Sequence, residues 1–323
     1  PQRDDGTADT DSLNTDVPEA QLADDRQPRW VAKPTVAYLW ARTVTCKHCR
    51  ATIPLLKTCW LAKKGTKRVL LTMKPSADRT GVEFALRDKV PISGGNNAQR
   101  REHDKRIGQG TMTRSGAWCP CCGRPGTPAM SLEDIRAEGM AGRLGSVMTA
   151  VVVDGPSGKS LRPATQAEVA AGSCSEDLVS EAFKEVPFGL PSEPTPAGGG
   201  TGAGRAFSVN GYGVRSWADL FTKRQLLAHA AFMKASRRML SAAHQSGLSG
   251  DLAAAIRLYL ALAQGRMLDY GSALTHHQPG GGFIVNSFQR FALPCNWDFS
   301  EVNPLSGLTG SADSAFEWVS LAV

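Results

Sequence analysis

The stretch "AWCPCCGRPG", residues 117–126, packs three cysteines into four positions, and "VTCKHCRAT", residues 44–52, repeats its two-residue gap. Cys119 and Cys122 form one C-x-x-C pair, and Cys46 and Cys49 form the other. Thiolates so spaced on a tight turn present two sulfurs to one ion, and two such turns complete a tetrahedral site, so the four cysteines read as ligands of one structural zinc ion. With four protein ligands and no open position, the site is expected to hold shape and not to act as a Lewis acid. Gly123 is expected to supply the positive φ that often follows a second ligand, a place filled by Arg50 in the first turn. Sixty-nine residues separate Cys49 from Cys119, so the intervening chain must fold back as a hairpin to bring the turns together. Cys121 reads as a bystander inside its turn, and Cys59, Cys174 and Cys295 stand alone with no assigned chemistry.

The surroundings are basic. Between Arg42 and Arg124 eighteen Lys and Arg face five carboxylates, whereas residues 1–29 carry eight carboxylates against three arginines. The chain's net charge of +7 therefore conceals an excess of +13 around the cysteine pairs. Such a patch concentrates polyanions, of which nucleic acid is the commonest, and a merely solvated basic face is the plainer alternative. Lys63, Lys64, Lys67, Arg68, Arg100, Arg101, Lys105 and Arg106 are the candidate phosphate contacts. No run of eighteen apolar residues and no signal peptide occur, which predicts no membrane span and a cytoplasmic protein with reduced thiols. The start at Pro1 and the apolar end "FEWVSLAV" read as those of a piece of a longer polypeptide.

Residues 1–29, with no aromatics, read as a disordered acidic linker. "RWVAKPTVAYLWARTVTC", "KRVLLTMK", "GVEFALRDKV" and "TMTRSGAW" read as strands, the middle two joined as a hairpin through "PSADRT". "SGGNNAQRREHDKRIGQG" is polar and lacks periodicity, hence a loop. "SLEDIRAEGMAGRLG" opens with Ser131 and Asp134 in capping-box spacing and reads as a helix, and "SVMTAVVVDGPSGKSLRPAT" reads as strand, turn, strand. A Pro/Gly linker at 191–205 separates this β-rich zinc-ribbon lobe, 30–190, from a helical lobe, 206–323. That lobe holds a helix capped by Thr222 and Gln225, a second with Asp251 as N-cap, a short one through "NSFQRFA" and a terminal one through "SAFEWVSLAV". The class is α+β.

"VVVDGPSGKS" imitates a phosphate-binding loop, but Val153 stands where that motif needs its first glycine, so it reads as a hairpin turn. "GGGTGAGR" has no preceding strand and reads as linker, not as a dinucleotide fingerprint. His276 and His277 near Tyr270 read as a polar loop after a helix.

Seven stretches in order resemble one family: "AYLWARTVTCKHC", "IPLLKTCWLAKK", "WCPCCGRP", "IRAEGMAGRLGSVMTAVV", "YGVRSWADLFTKRQLLA", "LALAQGRMLDYGSAL" and "NSFQRFALPCNWDFSEVNPLSG". The family is that of bacterial adenine-specific DNA methylases with an inserted zinc ribbon, often encoded near phage-defence genes. The resemblance implies methyl transfer from S-adenosylmethionine to the N6 of a flipped adenine in double-stranded DNA, on a Rossmann-like sheet of which this chain supplies an inserted middle part. It also implies partner subunits of a phage-defence system. The family's cofactor loop, D-P-F-x-G-G-G, and its catalytic D-P-P-Y are absent. Asn303-Pro304-Leu305-Ser306 lacks the second proline and the aromatic, so no catalytic residue is assigned in this chain. Trp297, Asp298, Glu301 and Asn303 border the cofactor pocket in this reading, against helix capping and loop packing. The rivals are a stand-alone, non-catalytic zinc-ribbon module that binds nucleic acid, and a scaffold whose C-terminal helices dock a partner.

Overall fold

Eleven residues, Thr35–Thr45 (β1), are buried almost without interruption, as expected of a Val-, Trp- and Tyr-rich strand covered on both faces. In the computed structural model, which describes residues 34–154, 158–199 and 206–321, β1 is the spine of a five-stranded antiparallel sheet. One edge of β1 is shared: Thr52–Leu55 (β2) pairs with its second half and Asp298–Val302 (β12) with its first. Along the other edge runs Gly145–Val153 (β8), followed by Ser160–Arg162 (β9). The acidic linker expected at 1–29 and the last part of the Pro/Gly linker lie outside the described residues.

Trp60–Lys64 (β3), Lys67–Pro75 (β4) and Val82–Arg87 (β5) form a second antiparallel sheet, with the expected hairpin between β4 and β5. Two short ladders complete the strands, Gly116–Ala117 (β6) with Met130–Ser131 (β7) and His276–Gln278 (β10) with Phe283–Val285 (β11). The strand expected through "TMTRSGAW" is reduced to β6. The Thr113 N–H and hydroxyl both donate to the Gly116 carbonyl and close a turn instead.

Seven α-helices occur among the described residues. Asn97–Ile107 (α1) replaces the loop expected there. Its sequence has no apolar stripe, but the Asn96 side chain accepts from the Gln99 N–H, and the buried Asp104 and Trp60 Nε1–H, which donates 2.9 Å to the Asp104 carbonyl, dock it on β3. Gly108 is needed because a Cβ there would lie 2.2 Å from the Trp60 ring. Leu132–Met140 (α2) has the full reciprocal capping box of Ser131 and Asp134. Gln166–Ala171 (α3) and Glu176–Lys184 (α4) escaped the sequence reading, although Thr165 with Glu168 and Ser175 cap them in the usual pattern.

Lys223–Gln245 (α5) and Gly250–Tyr270 (α6) are the expected long helices, and Ala312–Ser320 (α7) is the terminal one. The N-cap of α6 is Ser249, whose hydroxyl takes the Leu252 N–H, and not Asp251, which sits in the first turn. "NSFQRFA" is not helical. The carboxylate of Asp269 accepts from the Asn286 amide and the Phe288 N–H, and the Asp269 carbonyl accepts from Ser287, bonds that compete with a helix.

The boundary expected at 191–205 does not separate two cores. β12 belongs to the second half yet closes the central sheet of the first. One core cluster joins Val44, Ile53, Leu55 and Ile135 to Val209, Leu220, Leu274 and Trp297. Val44 and Ile53 pack with Leu274 and Trp297 across that boundary, and this packing overrides a composition change in the linker. The fold is thus a mixed α/β arrangement of antiparallel sheets. No helix among the described residues is long and apolar enough to cross a membrane.

Candidate metal centre

The two cysteine pairs sit at the tips of two hairpins. Cys46 and Cys49 occupy the turn from β1 to β2, and Cys119 and Cys122 the loop from β6 to β7. In the first, the Arg50 N–H donates 3.0 Å to the Cys46 carbonyl and the Cys46 N–H donates 2.8 Å to the Ala51 carbonyl. In the second, the Gly123 N–H donates 2.8 Å to the Cys119 carbonyl. Both turns therefore close on the first ligand of their pair.

The positive φ falls on Arg50, at 65°, and not on Gly123. Glycine is required at 123 for a different reason: a Cβ there would lie 2.8 Å from the Cys119 carbonyl oxygen.

The four sulfur atoms lie within 4.8 Å of one another. Cys46 Sγ is 3.7 Å from Cys122 Sγ, and Cys49 Sγ is 3.7 Å from Cys119 Sγ. A tetrahedron with metal–sulfur bonds of about 2.3 Å has edges of about 3.8 Å, so these spacings suit one zinc ion at the centre. One member of each pair is buried, Cys46 and Cys119, and one is exposed, Cys49 and Cys122. The set is thus seated on the core that contains Cys46 and Cys119, with one side toward solvent.

Crowding makes the thiols unequal. Burial pushes the Cys119 thiol up to about 11 against the N–H groups of Cys122 and Cys121. Cys122 is likewise raised, by burial and by its three sulfur neighbours. At Cys49 burial is outweighed by the Ala51 N–H and the neighbouring thiols, which bring it down to about 7. A thiolate at Cys49 can form near neutral pH, and Cys119 and Cys122 resist joining it. A divalent cation removes that resistance and releases the protons on binding.

Neighbouring groups hold the loops in place. The Lys47 ammonium lies 2.7 Å from the Asp134 carboxylate of α2, and the Lys47 N–H donates to the Met130 sulfur at 3.3 Å. The hairpin between β4 and β5 reaches the second loop as expected: Arg79 donates 2.6 Å to the Cys121 carbonyl, and the Cys121 thiol donates 3.1 Å to the Gly81 carbonyl. Cys121 therefore faces the hairpin and stands apart from the four. Nothing in the residue types of "PSADRT" announced this contact.

The basic candidates divide. Lys63, Lys64, Lys67, Arg100, Arg101, Lys105 and Arg106 are exposed on β3, β4 and α1. Arg68 is not available to a phosphate: it is buried, its guanidinium is bidentate on the Asp104 carboxylate, with one contact of 3.3 Å, and it lies 4.7 Å over the Trp60 ring. Lys63 shares the same carboxylate at 3.1 Å. Asp104 thereby clamps α1 to the β3–β4 hairpin and draws the basic residues of both onto adjacent elements.

The other sequence candidates have structural places. Trp297 is buried edge-on to Tyr212, with ring centres 4.8 Å apart. Glu301 pairs with Arg224 at 2.8 Å, and Arg224 lies 4.4 Å over Trp40. The Asn303 side chain donates 2.9 Å to the Thr35 carbonyl. Asp298 lies on β12, and burial raises its carboxyl above the usual value. His276 and His277 are on β10 and not in a loop, and His277 Nε2 lies 2.6 Å from the Leu61 carbonyl. Cys59 and Cys295 are buried in the core, where burial raises their thiols.

No family model, no curated protein and no solved structure matches the chain.

Proposed function

We propose that this chain is the zinc-clasped, duplex-gripping segment of an S-adenosylmethionine-dependent DNA adenine-N6 methyltransferase. The observation that carries the reading is the four-sulfur set. Two loops sixty-nine residues apart bring their thiols to tetrahedral spacing, and the chain between them is the basic sheet and helix. Three of the stretches that resemble the methylase family form neighbouring strands: "AYLWARTVTCKHC" on β1, "IRAEGMAGRLGSVMTAVV" on β8 and "NSFQRFALPCNWDFSEVNPLSG" on β12.

In this reading zinc fixes the two hairpin tips, and Asp104 fixes α1 on the β3–β4 hairpin. Lys64, Lys67, Arg100, Arg101, Lys105 and Arg106 then face the sugar–phosphate backbone, where each contact adds about 0.9 to the slope of log affinity against log salt. Adenine recognition, S-adenosylmethionine and the catalytic motif come from sequence outside this chain. The closed donor set also suits the second reading, a stand-alone, non-catalytic zinc-ribbon module that binds nucleic acid.

The test has two stages. Purified chain should carry one zinc and bind duplex DNA with a steep salt slope; metal-free protein or salt-independent binding rejects both readings. A longer polypeptide that includes the neighbouring coding sequence should transfer labelled methyl groups to adenine, and Cys46→Ser with Cys122→Ser should abolish the transfer. Duplex binding with no in-frame D-P-P-Y near this segment leaves the stand-alone module.

A further inference from the structure

Three hairpins converge on a cavity of about 270 Å³. The β3–β4 hairpin brings Lys64 and Lys67, the β8–β9 hairpin brings Lys159 and Ser160, and the β10–β11 hairpin brings His277 and the turn ending at Gly282. Among the described residues no carboxylate lines the cavity. None of the three lysines forms an ion pair among the described residues.

Lys64 and Lys67 are direct partners in the ladder. Like charges in that position repel and destabilise a hairpin. The Lys67 ammonium donates to the Lys159 backbone carbonyl, which ties it to the neighbouring hairpin, and the charges of Lys159 and Lys67 both bear on His277. Three ammonium groups with no carboxylate beside them among the described residues call for an anion.

The neutral groups narrow its chemistry. Ser160 adds a hydroxyl. With Leu61's carbonyl taking the Nε2 proton of His277, the ring's buried Nδ1 is an acceptor without a partner. Burial, against the Leu61 hydrogen bond and with the help of the Lys159 charge, holds this ring below its ordinary value and so neutral. A phosphate supplies oxygens for the three lysines and for the Ser160 hydroxyl.

We propose that this cavity is a phosphate-binding site. Lys64, Lys67 and Lys159 hold the anionic oxygens, and the Ser160 hydroxyl sets its orientation. The segment Gly158-Lys159-Ser160 thus reaches phosphate by side chains gathered from three hairpins, without the backbone wrap of a phosphate-binding loop. The site does not depend on the methyltransferase reading. Its failure would leave the zinc clasp and a salt-dependent grip on duplex DNA untouched.

Inorganic phosphate is the first probe, titrated into the zinc-loaded chain by calorimetry against chloride at equal ionic strength. Saturable binding is expected, about tenfold weaker in Lys67→Ala and in Lys159→Ala, and retained in Lys159→Arg. Zinc content and far-UV circular dichroism report whether each variant is folded.

Competition then identifies the source. If adenosine monophosphate or a 5′-phosphorylated duplex end displaces phosphate and an unphosphorylated duplex does not, the ligand is a phosphomonoester. If the unphosphorylated duplex displaces it and Lys159→Ala lowers the salt slope by about 0.9, the ligand is the DNA backbone. Absence of saturable phosphate binding by the wild-type chain overturns the proposal, as does binding unchanged in folded Lys67→Ala and Lys159→Ala.

Discussion

Arg68 and Asp104 meet as a buried bidentate pair that joins β4 to α1 beneath the Trp60 ring. Removing one partner of such a pair strands the other charge away from water, so Asp104→Ala should cost about 3–5 kcal/mol in urea unfolding. Arg68→Ala should likewise act on stability first. If it weakened DNA binding with no loss of stability, Arg68 would belong to the duplex contacts after all. Hydrogen bonds from Arg68 and Lys63 outweigh burial and hold the Asp104 carboxyl below its ordinary 3.8. A lowered folded value means stability that is complete above about pH 4 and lost as pH falls below it.

Cys46→Ser, Cys49→Ser, Cys119→Ser and Cys122→Ser should each reduce bound zinc well below one per chain. Cys121→Ser should keep it, because that thiol faces the Gly81 carbonyl. Elemental analysis of the five proteins checks this, and cobalt substitution should give thiolate charge-transfer absorption in Cys121→Ser alone among them. Chelation of the wild-type zinc should lower Tm by loosening the two hairpin tips.

Arg50 is exposed and occupies the left-handed region at φ 65°, with no side-chain hydrogen bond among the described residues to hold it there. A non-glycine residue bears a steric cost in that region, partly offset by the freedom a glycine adds to the unfolded chain. Arg50→Gly should therefore raise stability by about 0.5–1 kcal/mol without changing zinc content. Gly123→Ala should do the opposite, since its Cβ would press on the Cys119 carbonyl.

His229 is buried, with Nε2 3.1 Å from the Gly271 carbonyl and Nδ1 3.2 Å from the Gln264 amide, and burial lowers it from 6.5. The unfolded chain binds this proton first as pH drops. Stability due to the neutral ring is complete above about pH 6.5 and declines below it. Tm measured from pH 7.5 to 5 should fall in the wild type, and the fall should be shallower in His229→Gln.

The four-cysteine set was legible because two-residue thiol spacing is local, and so were β1, the β4–β5 hairpin and the long helices, whose apolar periodicity is local too. What could not be read depends on contacts made at a distance. α1 has no apolar stripe, and its helicity rests on Asn96 and on Asp104 reaching Arg68, a pairing that made a buried anchor of a residue counted as surface charge. β12 carries no alternation strong enough to mark a strand, and its partner lies more than 250 residues away. The lysine cavity draws on three hairpins, so neither "VVVDGPSGKS" nor "THHQPGGG" disclosed it alone.

The ladder between β1 and β12 places Ala37 opposite Val302, and the Asn303 N–H bonds the Val36 carbonyl at 2.9 Å. Everything from Thr35 to Asn303 thus departs from and returns to the same spot. A host sheet could carry this whole stretch as a graft on one of its loops, since the gap to be spanned is only the distance between neighbouring strands, about 5 Å. Cutting away β12 would expose the spine of the sheet, and cutting away α7 would uncover Ala263 and Met267 of α6.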